Sequence, residues 1–369
     1  MLTGGRRRFT RRLRGSFDRL RTDRQGFIVG VRSRRRAIAA TVMGVVLVAA
    51  ASGCAVDLGP FGAQFSAASD INDRGDIVGA MTSPGTIGSY PTHAWFRPAD
   101  GAMTVIDGGA YDSSAAAVNE QGTVVGTATS VSGGMPHAFR WTAAGGVVSL
   151  GTLGGPASTA VDINASGWII GRSDAAGDNG YSFRHGFVRD PATGTMTELP
   201  RLPGYDFIEP SAINDDGVIV GTAYHELEYP ISSRAVVWSA GTHAVAALPG
   251  LFSTATGVNA QGDIVGRALD LNAVVWDHAT HEATSIPPLP DTVSMRATAI
   301  NDDGTVVGQL QRGSAAKAFI WTADGGTRSL GGLGGSDAYV TAVNNDGVAV
   351  GTSQPSNVPW SHATRYDPD

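Results

Sequence analysis

The side chains that could do chemistry in this chain gather in three stretches. Asp174 to Arg184 (DAAGDNGYSFR), Tyr205 to Glu209 (YDFIE) and His225 to Tyr229 (HELEY) set aromatic rings beside carboxylates and imidazoles. Such a mixture suits a saccharide or a peptide, held by ring stacking and by hydrogen bonds to the acceptor groups. The candidate ligand-binding residues are therefore Asp178, Tyr181, Arg184, Tyr205, Asp206, Phe207, Glu209, His225, Glu226, Glu228 and Tyr229. The rival chemistry is carbohydrate cleavage by a hydrolase or lyase, in which Glu209, Glu226 and Glu228 would supply acids and Tyr205 or Tyr229 a phenol. Against it, the 13 arginines after Cys54 are dispersed along the chain. There is also no Gly-Lys-Ser/Thr loop, HExxH stretch or nucleophile elbow. No catalytic residue is assigned, and no cofactor is expected.

Two other groups of residues look chemical and are read otherwise. His93, His137, His185 and His362 occupy the same place in different repeats, so each is expected to hydrogen-bond within its own strand pair rather than join a metal cluster. The Asn-Asp-Asp-Gly turns at 214–217 and 301–304 lack the alternating oxygen ligands, spread over about a dozen residues, that a calcium loop needs. No metal site is assigned.

The elements that must position these residues come from a repeat. Asn72, Asn119, Asn164, Asn214, Asn259, Asn301 and Asn344 each head the pattern Asn-x-x-Gly-x-(Val/Ile/Ala)-(Val/Ile)-Gly, at spacings of 47, 45, 50, 45, 42 and 43 residues. Four-stranded propeller blades have this length. An aliphatic residue precedes each Asn, which marks the end of a first strand. The Asn starts a turn through its side-chain amide, and the Gly three residues on takes the positive φ that closes the hairpin. The aliphatic pair before the second Gly starts a buried second strand. A third strand (His137-Ala138-Phe139 in repeat two) and a fourth (ending at Leu150) complete each unit. The first strands are rich in Ala, Ser and Thr, as crowding around a central axis requires. The expected fold is all-β: a seven-bladed propeller with four antiparallel strands per blade.

Pro136-His137-Ala138-Phe139-Arg140-Trp141, then Leu150-Gly151-Thr152-Leu153-Gly154-Gly155 and Asn164, resemble the HAF repeat, named for its His-Ala-Phe. The resemblance spans nearly all of residues 55–369. It implies an extracellular bacterial protein with β-propeller-like repeats, and it carries no catalytic residue to transfer. Arg234 and Asn272 replace the His in repeats four and five. The seventh repeat runs out after its third strand, whereas residues 56–58 match a fourth strand. The N-terminal strand is therefore expected to close the last blade, since an open ring would expose two strand edges. Chain direction then puts the 4→1 and 2→3 loops on one face, and Cys54 with the 1→2 turns on the other.

Charge separates the chain into parts. Thirteen arginines fall within residues 1–36 against two acids, and this leader is read as disordered. From Cys54 onward 14 basic residues face 31 acidic ones, so the body should repel nucleic acid. Residues 37–54 are uncharged and end at the only cysteine, in Ala51-Ser52-Gly53-Cys54, which resembles a lipobox. That resemblance implies cleavage before Cys54, a lipid on its sulfur and attachment to the extracytoplasmic face of the cell membrane. The chain is read as a monomeric, tethered binding or interaction module whose partner is a saccharide, protein or peptide of the cell envelope.

Overall fold

Every Asn-x-x-Gly stretch closes a hairpin in the structure, a computed structural model that describes residues 54–82, 91–106, 108–130, 134–178, 185–225, 232–269 and 272–368. The leader and the segment 37–53 lie outside the described residues, as do Tyr181, Arg184, Glu226, Glu228 and Tyr229. Seven antiparallel sheets of four strands follow one another along the chain. Their innermost strands are Phe65–Ile71, Ala110–Val118, Gly154–Ile163, Phe207–Ile213, Thr254–Val258, Ser294–Ile300 and Gly334–Val343. The core lies between neighbouring sheets. Ile170, Val188 and Leu199 of blade three, for example, cluster with Ile208, Ile213, Ile219 and Trp238 of blade four.

The repeated asparagines do more than start turns. Each Oδ1 accepts the backbone N–H four residues on, as Val218 N donates to Asn214 at 2.9 Å and Asp263 N to Asn259 at 2.8 Å. Each Nδ2 crosses to the next blade and donates to the carbonyl of its Asn: 72 to 119, 119 to 164, 164 to 214, 214 to 259, 259 to 301 and 301 to 344. Asn344 returns to Asn72 at 3.1 Å and completes the circle. The side chains are buried, so each amide satisfies two backbone groups that water could not reach. This is why Asn, and not the Asp or Gly that a hairpin alone would accept, stands at all seven places. Around it runs a second girdle, in which Glu120, Asp215, Asp302 and Asp73 accept the N–H of Asp73, Ala165, Ala260 and Asn345. These carboxylates are thus engaged in joining blades.

The two glycines of the motif serve different ends. The first has φ between 73° and 88° in all seven copies, the left-handed conformation expected of the turn. The second owes its identity to a bulge. Every innermost strand carries one extra residue opposite the second strand, between residues 68 and 70 in blade one and at the matching place elsewhere. The bulge presses a carbonyl against that glycine, and at Gly171 the ring of Phe187 also stands 2.6 Å from where a Cβ would be.

Ring closure is as expected, one residue longer at each end. Ala55–Gly59 pairs antiparallel with His362–Tyr366, with Val56 opposite Arg365 and Asp57 opposite Thr364. His362 Nδ1 meets Asp57 at 2.9 Å, and Ser66 Oγ donates to the Gly59 carbonyl while accepting the Ala363 N–H. Buried serines Ser113 and Ser158 make the same two-way link between other blades. Since Ala55 and Ala349 both stand opposite Tyr366, exposed Cys54 lies at the asparagine-ring end of the molecule.

Candidate functional site: the channel mouth opposite the asparagine ring

A narrow channel runs between the innermost strands, and its wall is where the blades differ. Two residues before each Asn stand Asp70, Ala117, Asp162, Ala212, Gly257, Ala299 and Ala342, all lining a cavity of about 220 Å³. Asp70 accepts the Val118 N–H and Asp162 the Ile213 N–H, each from a neighbouring blade. Burial pushes the Asp70 carboxyl up to about 6. Burial, reinforced by the charge of Asp70, pushes Asp162 up to about 7. Protonation therefore favours the folded state, and the stability this confers is lost as pH rises from about 4 through 7. Both Asp162 oxygens accept backbone N–H groups, from Ile163 and Ile213, so Asp162→Asn gives up one of these bonds and is expected to be about 1 kcal/mol less stable than wild type at pH 4, the difference shifting in its favour by about 2 kcal/mol by pH 8. Thermal melts across that range test this; a difference independent of pH would refute the electrostatic account.

Beyond the bulges the channel opens at the end formed by the 4→1 and 2→3 loops. The residues five before each Asn, Ala67, Ser114, Thr159, Glu209, Thr254, Arg296 and Tyr339, share one register on the innermost strands, and of these Glu209 and Arg296 line the mouth. A cavity of about 330 Å³ is lined by Val161, Arg172, Glu209, Pro210, Ser211, Thr256, Arg296 and Thr298. Arg172, on the second strand of blade three (Ile169–Ala175), donates to Glu209 Oε1 at 2.6 Å. Tyr224 also hydrogen-bonds Glu209, and burial with that carboxylate beside it holds its phenol above the usual range. The Tyr224 ring stacks on Phe207, with centroids 5.0 Å apart and planes 16° from parallel.

The loops at the rim come together as their residues suggested. Tyr205 lies 4.8 Å from the His225 ring, and His225 Nδ1 is 3.5 Å from Asp206. Asp178 caps the Ala175 N–H and approaches His185 Nε2 at 3.4 Å. His185 bonds Glu198 at 2.8 Å, and Arg201 reaches both His185 and the Asp206 carbonyl. The described candidates Asp178, Tyr205, Asp206, Phe207, Glu209 and His225 thus share one face. Of the other repeated histidines, His137 bonds the Pro156 carbonyl and His362 bonds Asp57, whereas His93 Nδ1 has no partner among the described residues.

Sequence reasoning missed Arg172, Arg296, Tyr224 and Tyr339, because it sought function in loops and these stand on strands. The signal was present at a fixed offset: five residues before each Asn, small residues give way to Glu209, Arg296 and Tyr339. On the opposite face Asp263, Asp277 and His278 bring ligand atoms within 4.8 Å of one another. Asp263 there accepts both the backbone and ring N–H of His278, and Asp277 accepts Ala279 N, Thr280 N and Thr280 Oγ.

No protein-family model matches the chain, and no curated protein does. Solved structures do. The β-propeller domain of the trilobed protease from Pyrococcus furiosus superposes with a TM-score of 0.58 at 13% identity, over 83% of this chain and 95% of that one; it is described as having an open velcro topology, where this ring is closed. Acylaminoacyl peptidase from Pyrococcus horikoshii gives 0.55 at 12%, over 83% of this chain and 52% of the peptidase. Virginiamycin B lyase from Staphylococcus aureus gives 0.53 at 12%, over 85% and 98%. The chain is a seven-bladed β-propeller, and at these identities the likeness concerns the fold alone.

Proposed function

We propose that this propeller is an extracytoplasmic binding module that takes a saccharide or peptide of the cell envelope at the mouth formed by its 4→1 and 2→3 loops. The observation that carries the reading is the composition of that mouth: one concave site where Arg172, Glu209 and Arg296 converge beside the stacked Phe207 and Tyr224. Paired carboxylates flanking a scissile bond would favour a glycosidase. Among the described residues lining this cavity, Glu209 is the single carboxylate, and it is bound by Arg172. That favours recognition over hydrolysis.

The resemblance to HAF repeats supports an extracellular setting. A lipid on Cys54 would anchor the asparagine-ring end and leave the loop mouth facing away from the membrane. Cys54 adjoins the closing strand directly, so the anchored face would lie close to the bilayer. Metabolic labelling with a fatty-acid analogue tests the anchor: Cys54→Ser is expected to abolish labelling, and an equally labelled variant would refute it. Screening the full chain on glycan and peptide arrays tests the binding site. Binding reduced about tenfold or more by Glu209→Gln is expected; array ligands bound equally well by that variant would place recognition elsewhere.

A further inference from the structure

Comparison of equivalent blades specifies the ligand further. Arg172 stands opposite Thr159 in blade three, and Arg267 stands opposite Thr254 at the same register in blade five. Arg172 crosses to the next blade, where the residue five before Asn214 is Glu209, and forms an ion pair. At the equivalent place after Arg267, the residue five before Asn301 is Arg296. By register, Arg267 and Arg296 hold the two places between blades five and six that Arg172 and Glu209 hold between blades three and four, so positions of opposite charge there are of like charge here.

Among the described residues, neither member of this second pair makes an ion pair, and the buried Nε of Arg267 has no hydrogen-bond partner. Arg296 has only a 3.5 Å contact to Gln309 Oε1 and is exposed to the cavity. Like charges at neighbouring positions repel one another, and a bound anion between them would relieve that repulsion. The planar donors of arginine match a carboxylate in two-pronged fashion.

We infer, building on the binding role proposed above, that the mouth takes an acidic saccharide whose carboxylate docks on Arg296 and Arg267. A cavity of about 330 Å³ suits a short sugar rather than a long chain. The Phe207–Tyr224 stack stands beside the cavity through the hydrogen bond from Tyr224 to Glu209, and Ser211 adds a hydroxyl group on the wall.

Isothermal titration of the full chain with tri-galacturonate and with its methyl ester, the same sugar without charge, tests the inference. The acid is expected to bind at least tenfold more tightly than the ester. Arg296→Gln and Arg267→Gln are each expected to weaken the acid by tenfold to a hundredfold without altering the ester. Arg365→Gln, which alters a pair with Asp367 at the opposite end, is the control and should change neither. Equal affinity for acid and ester, or unaltered acid binding by both mouth variants, would overturn the carboxylate site and leave a neutral-sugar reading of the face standing. Failure of both trimers to bind overturns the inference as well. If an acidic peptide bound in their place, the occupant would be a peptide; array screening without any ligand at this face would overturn the binding role itself.

Discussion

Deleting Ala55–Gly59 is expected to lower the unfolding temperature by about 10 °C or more and to make the protein associate through the uncovered strand. The five residues contribute ladder hydrogen bonds to His362–Tyr366, the Ser66–Gly59 bond and the partly buried Leu58, which packs against the cluster around Trp95 and Val350. At about 1 kcal/mol per hydrogen bond and 1–2 kcal/mol for the leucine, the loss is about 5 kcal/mol. In a domain of this size that corresponds to roughly 2 °C per kcal/mol. The deletion also leaves His362–Tyr366 with an unpaired edge, which invites pairing with another copy. Calorimetry and size-exclusion chromatography would report both effects. A deleted protein that melted with the intact one and stayed monomeric would show that the asparagine ring alone holds the circle closed.

The asparagines illustrate what a sequence reveals about such a fold. Their regular recurrence before Gly, with aliphatic residues at fixed offsets, requires a hairpin in every repeat, and the misplaced fourth strand requires closure. Both conclusions follow from local pattern. The reach of Asn214 Nδ2 to the Asn259 carbonyl does not, because it joins residues 45 apart through the curvature of the whole ring. The candidate site divides in the same way. Tyr205, Phe207 and His225 stood out because the loops of blades three and four set aromatic rings beside carboxylates. Arg172 and Arg296 lie within strands that otherwise read as repeat interior, and their convergence depends on which positions turn toward the axis. Once the bulge fixes that register, the position five before each Asn becomes readable as the mouth, and the position two before it as the channel wall that holds Asp70 and Asp162.

The two motif glycines in one blade should respond oppositely to replacement, and the difference tests the bulge directly. Gly217 has φ of 84°, and the nearest atom to an added Cβ is that of Ala240 at 3.9 Å, so space is not the constraint. Asn tolerates this conformation, and Gly217→Asn should change stability by no more than about 1 kcal/mol. Gly221 has ordinary backbone angles, yet an added Cβ would strike the Glu209 carbonyl and come within 2.8 Å of Pro210 Cα. Both obstacles are backbone atoms of the bulged innermost strand, so no side-chain rotation can relieve the clash. Gly221→Ala is expected to cost at least about 4 kcal/mol, well beyond ordinary overpacking. Because the displaced strand carries Glu209, the variant should also weaken ligand binding at the mouth under conditions where it remains folded. Denaturant titrations of the two variants decide the matter. Comparable losses would mean that both glycines serve the turn; a loss confined to Gly221 would mean that the innermost strand is pressed onto the second one, and that this contact sets the level at which Glu209, Arg296 and Tyr339 meet the channel.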